Sequence, residues 1–254
     1  MTYRSIFASD LFRSKVVIVT GGGSGIGRCT AHELAALGAH VVLIGRKAEK
    51  LLAVADEITQ DGGAVSTQVC DIRDEETVRQ TVAAVVAAQG RIDGLVNNAG
   101  GQYLMPLEAI SAKGWEAVLS TNLTGGFLMA RECFVQSMTR HGGAIVNIVA
   151  DIWGSMPGMG HSGAARAGMV SFTETAALEW AARGVRVNAV APGFITTPMV
   201  AAMPEKVLLG LQAKVPLGRL GTPQEIANVY AFLASDEASY INGTVIEVSG
   251  GMSL

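Results

Sequence analysis

The chain of 254 residues is poor in cysteine, lacks any long apolar run and carries no block of like charge, and each shortage closes off a class of function. Cys29, Cys70 and Cys133 do not have the spacing of metal ligands. An odd number in a chain without a signal-peptide pattern predicts reduced thiols, each packed as a small core residue, in a cytoplasmic protein. No stretch of about eighteen uninterrupted apolar residues occurs, so no membrane span is expected. Charged residues make up 16% of the chain, the formal net charge is -3 and the basic residues are scattered. Neither a nucleic acid nor an anionic membrane is therefore expected as a partner. Internal repeats, low-complexity tracts and long linkers are also missing. A single domain over 1–254 is predicted, 49% of it hydrophobic and able to bury a large core.

What the chain does have is a regular alternation of apolar runs and amphipathic stretches. Strands are predicted at 16–20, 40–45, 64–70, 94–97, 144–149, 185–191 and 244–248. Helices are predicted at 25–37, 48–61, 75–89, 115–140, 163–182 and 223–234. Strands that are apolar on both faces and separated by helices imply an α/β fold: a doubly wound, seven-stranded parallel sheet, Rossmann-like, with helices on both faces. Ligands of such sheets lie at the carboxyl ends of the strands, which directs attention to the residues after each one.

The first of those ends is the most informative. Thr20-Gly21-Gly22-Gly23-Ser24-Gly25-Ile26-Gly27 follows the run Val16-Val17-Ile18-Val19 and opens a helical pattern. Unpaired N–H groups in a first helical turn, together with the positive end of the helix dipole, attract a pyrophosphate, and glycines let it approach the backbone. After the second strand stands Gly45-Arg46-Lys47, with no acidic residue to hold a ribose 2′-hydroxyl. Two cations there suit a 2′-phosphate, Arg46 as a bidentate fork and Lys47 as a point charge, so NADPH is the expected cofactor. The alternative is that the pair merely solvates a helix start, although cations at that end oppose the helix dipole.

Over essentially its full length the chain resembles the short-chain dehydrogenases/reductases. The residues that carry the resemblance are the glycine turn, Asp71 after the third strand, Asn97-Asn98-Ala99-Gly100 after the fourth, Asn122 in a long helix, and Pro192-Gly193-Phe194-Ile195-Thr196-Thr197 after the sixth. The resemblance implies cofactor contacts from Gly21, Ser24, Gly25, Ile26 and Gly27, from Asp71 and Ile72 near the adenine, and from Asn98, Ala99 and Gly100. It further implies Pro192, Gly193, Ile195 and Thr197 around the nicotinamide amide, and a homodimer or homotetramer built on the two long helices.

One departure from the family pattern matters more than the agreement. Most members carry a serine after the fifth strand and a Tyr-x-x-x-Lys pair on the next helix, in which lysine lowers the tyrosine pKa for proton transfer to a carbonyl oxygen. Here the run is His161-Ser162-Gly163-Ala164-Ala165-Arg166, with Ser162 at the tyrosine position and Arg166 at the lysine position, and Val149-Ala150-Asp151 follows the fifth strand. An aliphatic hydroxyl is a far weaker acid than a phenol, and guanidinium keeps its proton, so ordinary ketone reduction is disfavoured. Hydride attack on the β-carbon of an α,β-unsaturated thioester would instead place charge on the thioester oxygen, which neutral donors can stabilise.

The segments 97–103, 111–125 and 161–168 resemble the peroxisomal trans-2-enoyl-CoA reductases, and 217–221 and 240–243 resemble the 2,4-dienoyl-CoA reductases. That resemblance implies an acyl thioester substrate. Asn122 and Ser162 would stand at the thioester or nicotinamide, Arg166 on the nicotinamide ribose, and Asp151 near a proton-donating position. Tyr103 is the tyrosine after the fourth strand and is either a substitute phenol or a rim residue. His161 either reaches a ligand or packs at a helix start. The apolar segment 196–217 is either a substrate lid or a helix packed on its own domain or a neighbouring subunit. Three readings stay open: an NADPH-dependent enoyl-thioester reductase, a dienoyl-CoA or carbonyl reductase on the same frame, and a nucleotide-binding regulatory protein that has lost its activity.

Overall fold

A computed structural model describes residues 7–252, so the expected domain of 1–254 extends slightly beyond it at both ends. Seven strands form one sheet in the order β3-β2-β1-β4-β5-β6-β7, with every pairing parallel. The strands are β1 (Val16–Thr20), β2 (His40–Gly45), β3 (Ala64–Val69), β4 (Gly94–Asn97), β5 (Gly143–Ile148), β6 (Val185–Pro192) and β7 (Val245–Val248). Helices α1 (Gly25–Ala36), α2 (Ala48–Gln60) and α3 (Glu75–Gln89) fill the first three crossovers. A long helical stretch follows β4 as α4 (Ala112–Leu119), α5 (Gly125–Cys133) and the short α6 (Thr139–His141). Wider π-type turns at Ser120–Thr124 and Phe134–Met138 join the three pieces. The stretch read from sequence as one helix is thus interrupted twice. Beyond β5 come α7 (Gly160–Trp180), the small α8 (Pro198–Ala201) and α9 (Glu205–Gln212), and finally α10 (Pro223–Ala234).

Side-chain alternation along the central strands divides the core in two. Val17 and Val19 of β1 face a layer made by α1, α2 and α10, with Leu34, Leu51, Ile58 and Tyr230. Val16 and Ile18 face the opposite layer of α3, α5 and α7, with Val78, Val82, Met129 and Ala176. Each fully buried aliphatic side chain of this kind contributes about 1.5–3 kcal/mol of transfer free energy, so continuous Val/Ile runs commit the strands to a sheet covered on both sides. Of the cysteines, Cys70 and Cys133 are buried as expected. Cys29 is only half-buried, with its thiol 3.5 Å from Gln224 Oε1.

The strand order reverses between β1 and β4, and the crevice at their carboxyl ends is where this architecture accepts a ligand. A buried amide chain ties the floor of that crevice together. Asn97 Nδ2 donates to Asn147 Oδ1 at 2.9 Å and to the Gly126 carbonyl at 2.9 Å, and Asn147 Nδ2 donates to Thr173 Oγ1 at 2.9 Å. These bonds lock β4 and β5 to α5 and α7. Among the described residues, no helix is long and apolar enough to cross a membrane, and no His/Cys/Asp/Glu group is arranged to hold a metal ion.

Candidate active site

The glycine turn after β1 is held shut by Thr20. Its buried hydroxyl accepts the N–H groups of Asn98 (3.0 Å) and Ala99 (2.9 Å) and donates to the Val96 carbonyl, while Asn98 Nδ2 donates back to the Thr20 carbonyl at 3.1 Å. Gly21 sits at φ +67°, where a side chain would be strained, and a Cβ on Gly27 would strike the Gly21 carbonyl oxygen and come within 2.5 Å of Asn98 Nδ2. Ser24 precedes α1 in an extended conformation and does not cap it with its side chain, so the first-turn N–H groups face the cleft unclaimed by the Ser24 hydroxyl. A turn built mainly of glycine and a helix start without a side-chain cap fit a pyrophosphate. Thr197, which N-caps α8, has its methyl against Gly25, so the far side of the cleft closes onto this turn.

Arg46 and Lys47 are exposed where β2 gives way to α2. Asp71, just past β3, is bound by Arg73 through Nε at 2.9 Å and Nη2 at 2.5 Å. Those bonds hold the Asp71 carboxyl below the usual carboxylate range, and the charge of Arg46 adds to the effect. Three cations and one paired acid therefore surround the expected adenosine end. Arg73 was not read from the sequence; an Asp-x-Arg after a strand is its only signal. Ile72 is buried beneath Asp71, with its side chain against Gly125.

The other side of the crevice is organised by α7, which places Ser162 and Arg166 one turn apart and buries both. Arg166 donates from Nη1 to the Ile148 carbonyl at 2.7 Å, and its Nη2 points at Gly100, where a Cβ would stand 2.6 Å from it. Among the described residues it forms no ion pair and its Nε has no hydrogen-bond partner. Burial pulls its pKa down to about 10. An uncompensated buried cation is costly, and one aimed at the strand ends suits an electron-rich ligand there.

Asn122 lies in the first π-type turn and is engaged at both ends of its amide. Its Oδ1 accepts from the Gly101 N–H and its Nδ2 donates to the Gly101 carbonyl, both at 2.9 Å. In this conformation it therefore clips the loop after β4 rather than presenting a free amide. Ser162 donates its hydroxyl proton to Gln102 Oε1 at 2.6 Å, a partner the sequence reading did not name. His161 is buried, its Nδ1 accepting the Ser162 N–H at 2.9 Å and its ring meeting that of Tyr103 edge-to-face at 4.6 Å. Tyr103 is partly exposed, with its hydroxyl against Gly114 in the first turn of α4. Asp151 stands in the loop after β5, its N–H bonded to the Pro192 carbonyl. Gly193 packs on Ser249, and Ile195 is buried in a lone bridge with Gly221.

The cleft mouth is apolar. Leu104 and Leu107 on one loop and Trp153 on another are exposed, and the Met105 N–H to Gly158 carbonyl bond (2.8 Å) joins those loops. Met199, Val207 and Leu209 are exposed as well, on α8 and α9, neither of which contributes a buried residue. The end of this segment is fixed by Arg219, bidentate on Glu225, which also forms a capping box with Thr222 and is held down to a pKa of about 2 chiefly by that arginine.

Comparison with known proteins agrees with this fold. Residues 21–253 match the family described as Enoyl-(Acyl carrier protein) reductase. A probable 2,4-dienoyl-CoA reductase of Bacillus subtilis (strain 168) is 42% identical over 94% of this chain and 97% of its own length. A 3-oxoacyl-(acyl-carrier-protein) reductase of Thermotoga maritima is 40% identical, over 94% of this chain and 97% of its own. Among solved structures, the citronellol catabolism dehydrogenase AtuB of Pseudomonas aeruginosa PAO1 superposes with a TM-score of 0.91 at 58% identity, covering 99% of this chain and all of the other. The chain belongs to the short-chain dehydrogenase/reductase family, oxidoreductases that work with a nicotinamide dinucleotide.

Proposed function

We propose that the protein is an NADPH-dependent reductase of the carbon–carbon double bond in unsaturated acyl thioesters of the trans-2-enoyl-CoA class. The observation that carries the reading is the buried Ser162–Arg166 pair at the end of β5, standing where the family's phenol and lysine would be. The glycine turn and the start of α1 would hold the pyrophosphate, Arg46 and Lys47 the 2′-phosphate, Arg166 the nicotinamide ribose, and Ile195 and Thr197 the carboxamide. Bound NADPH supplies a hydride to the β-carbon of the substrate. The two alkene electrons then move toward the thioester oxygen, where Ser162, released from Gln102, offers a neutral donor beside the Arg166 charge. A proton returns to the α-carbon, completing the addition of one hydride and one proton. We assign its delivery to solvent water, since the Tyr103 hydroxyl is turned onto Gly114.

The exposed leucines and methionine at the cleft mouth support an apolar acyl tail, with 196–217 as its lid, and the name of the AtuB neighbour supports a branched one. A dienoyl thioester is the second reading, favoured by the Bacillus relative. The exposed Phe127 on α5, Val135 on the second π-type turn and Leu178 on α7 support a subunit contact.

The test follows NADPH oxidation with crotonyl-CoA, longer and methyl-branched trans-2-enoyl-CoA, 2,4-dienoyl-CoA and 3-oxoacyl-CoA, with products weighed by mass spectrometry. A saturated acyl-CoA two hydrogens heavier than the enoyl substrate supports the reading. Turnover confined to 3-oxoacyl esters, or tight NADPH binding with no turnover at all, rejects it.

A further inference from the structure

Asp71 is an acid standing where a 2′-phosphate would need positive charge. The register of the sheet puts it there. β2 and β3 pair in parallel with Gly45 opposite Val69, and the Cys70 N–H donates to the Gly45 carbonyl at 3.0 Å, so Arg46 and Asp71 leave the sheet at neighbouring strand ends. Adjacent strands lie about 4.8 Å apart, well within the Debye length of about 10 Å at 0.1 M salt, so an uncompensated carboxylate there would offset much of the Arg46 field. Arg73 compensates it. Its Nε reaches both carboxyl oxygens at 2.9 and 3.2 Å, its Nη2 reaches Oδ2, and its backbone N–H donates to Oδ1 at 3.1 Å. Asp71 is thereby held ionised, chiefly by Arg73, with the Arg46 charge felt as well.

We infer that Arg73 is a specificity-determining residue for the cofactor: by taking up the charge of Asp71 it leaves the positive potential of Arg46 and Lys47 to the 2′-phosphate, and so favours NADPH over NADH. The inference rests on the reading of Arg46 and Lys47 as the 2′-phosphate site and on nothing about the acyl substrate. Arg73 acts through Asp71 and not on the phosphate itself, because its fork is committed to the carboxylate, whereas Arg46 and Lys47 are exposed and enter no salt bridge among the described residues. With Arg73 in place the four side chains carry a net charge of two, and without it a net charge of one, against a phosphate that is itself close to dianionic.

The experiment measures NADPH and NADH dissociation constants by fluorescence titration, at low and high salt, for the full chain, Arg73→Gln, Arg73→Lys and the double variant Asp71→Asn with Arg73→Gln. The quantity read is the ratio of the two constants, in which anything either residue does for the shared adenine cancels. Arg73→Gln should lower the preference for NADPH by about three- to fivefold at low salt and by less at high salt, while Arg73→Lys keeps most of it. The double variant removes both charges and should return the ratio to within about twofold of the parent. A loss that the double variant fails to recover overturns the inference, because Arg73 would then touch the phosphate itself or merely hold the loop. A parent that binds both cofactors equally rejects the 2′-phosphate reading together with this inference. A parent that prefers NADPH, with a preference indifferent to Arg73→Gln, rejects this inference alone.

Discussion

The two halves of the crevice are built from different material. On the dinucleotide side, the ends of β1 and β4 are joined by a closed circuit in which the Thr20 hydroxyl and the Asn98 amide each grip backbone groups. On the substrate side, beside the Met105–Gly158 backbone bond and the Asn122 clip on Gly101, the links are single side-chain contacts: Ser162 on Gln102, Tyr103 on His161, and lid helices that bury nothing fully. A seat made of backbone admits little substitution. One made of side chains can change its chemistry while the sheet stays as it is, which is how a serine and an arginine can stand where the family keeps a phenol and a lysine.

The contrast is broken most directly at Gly27. A Cβ there meets the Gly21 carbonyl and Asn98 Nδ2, groups already committed to the turn, so something in the backbone has to move. Gly27→Ala should lose about 2–3 kcal/mol of stability and essentially all NADPH binding, read by thermal melting and titration. A variant that melts and binds like the parent would show that the turn is as yielding as the lid.

Arg46 tests the same half at its exposed end, where recognition passes from backbone to side chain. Arg46→Ala should weaken NADPH by about tenfold or more and NADH by less than about twofold, because only the former carries the 2′-phosphate that a guanidinium fork can grip. Equal losses with both cofactors would remove Arg46 from that task, leaving Lys47 and Arg73 as the cations at that edge. Melting should not change, since Arg46 is exposed and supports no buried group.

What the sequence disclosed follows the same division. The bounds of α3 and α10 were legible because their ends carry chemical signals: Asp74 accepting from the Thr77 N–H, Gly90 in the left-handed region, and Thr222 with Glu225 around a proline start. The two π-type turns were hidden, since one extra residue per turn barely disturbs an apolar period over so long a helix. Gln102 was hidden for another reason. It lies in an aperiodic loop and meets Ser162 across 60 residues only because the loops after β4 and β5 are joined by Met105 and Gly158.

Gln102 also supplies the smallest and sharpest test of the comparison. With the Ser162 proton directed at Gln102 Oε1, the hydroxyl rotor is held in one orientation, and the bond must be given up when charge appears on a substrate oxygen. If that orientation aids catalysis, Gln102→Ala and Ser162→Ala should each lower kcat by about three- to tenfold and leave NADPH affinity and melting temperature nearly unchanged. Because each substitution removes the same interaction, the double variant should be no slower than Ser162→Ala alone, a non-additivity measurable in a double-mutant cycle. A faster Gln102→Ala enzyme would carry equal weight in the other direction, since it would mean that Gln102 withholds the Ser162 proton from the substrate. Additive losses would separate the two residues, making Gln102 a wall of the cleft, and would leave the substrate half without even one coupled pair to set against the bonded circuit around Thr20.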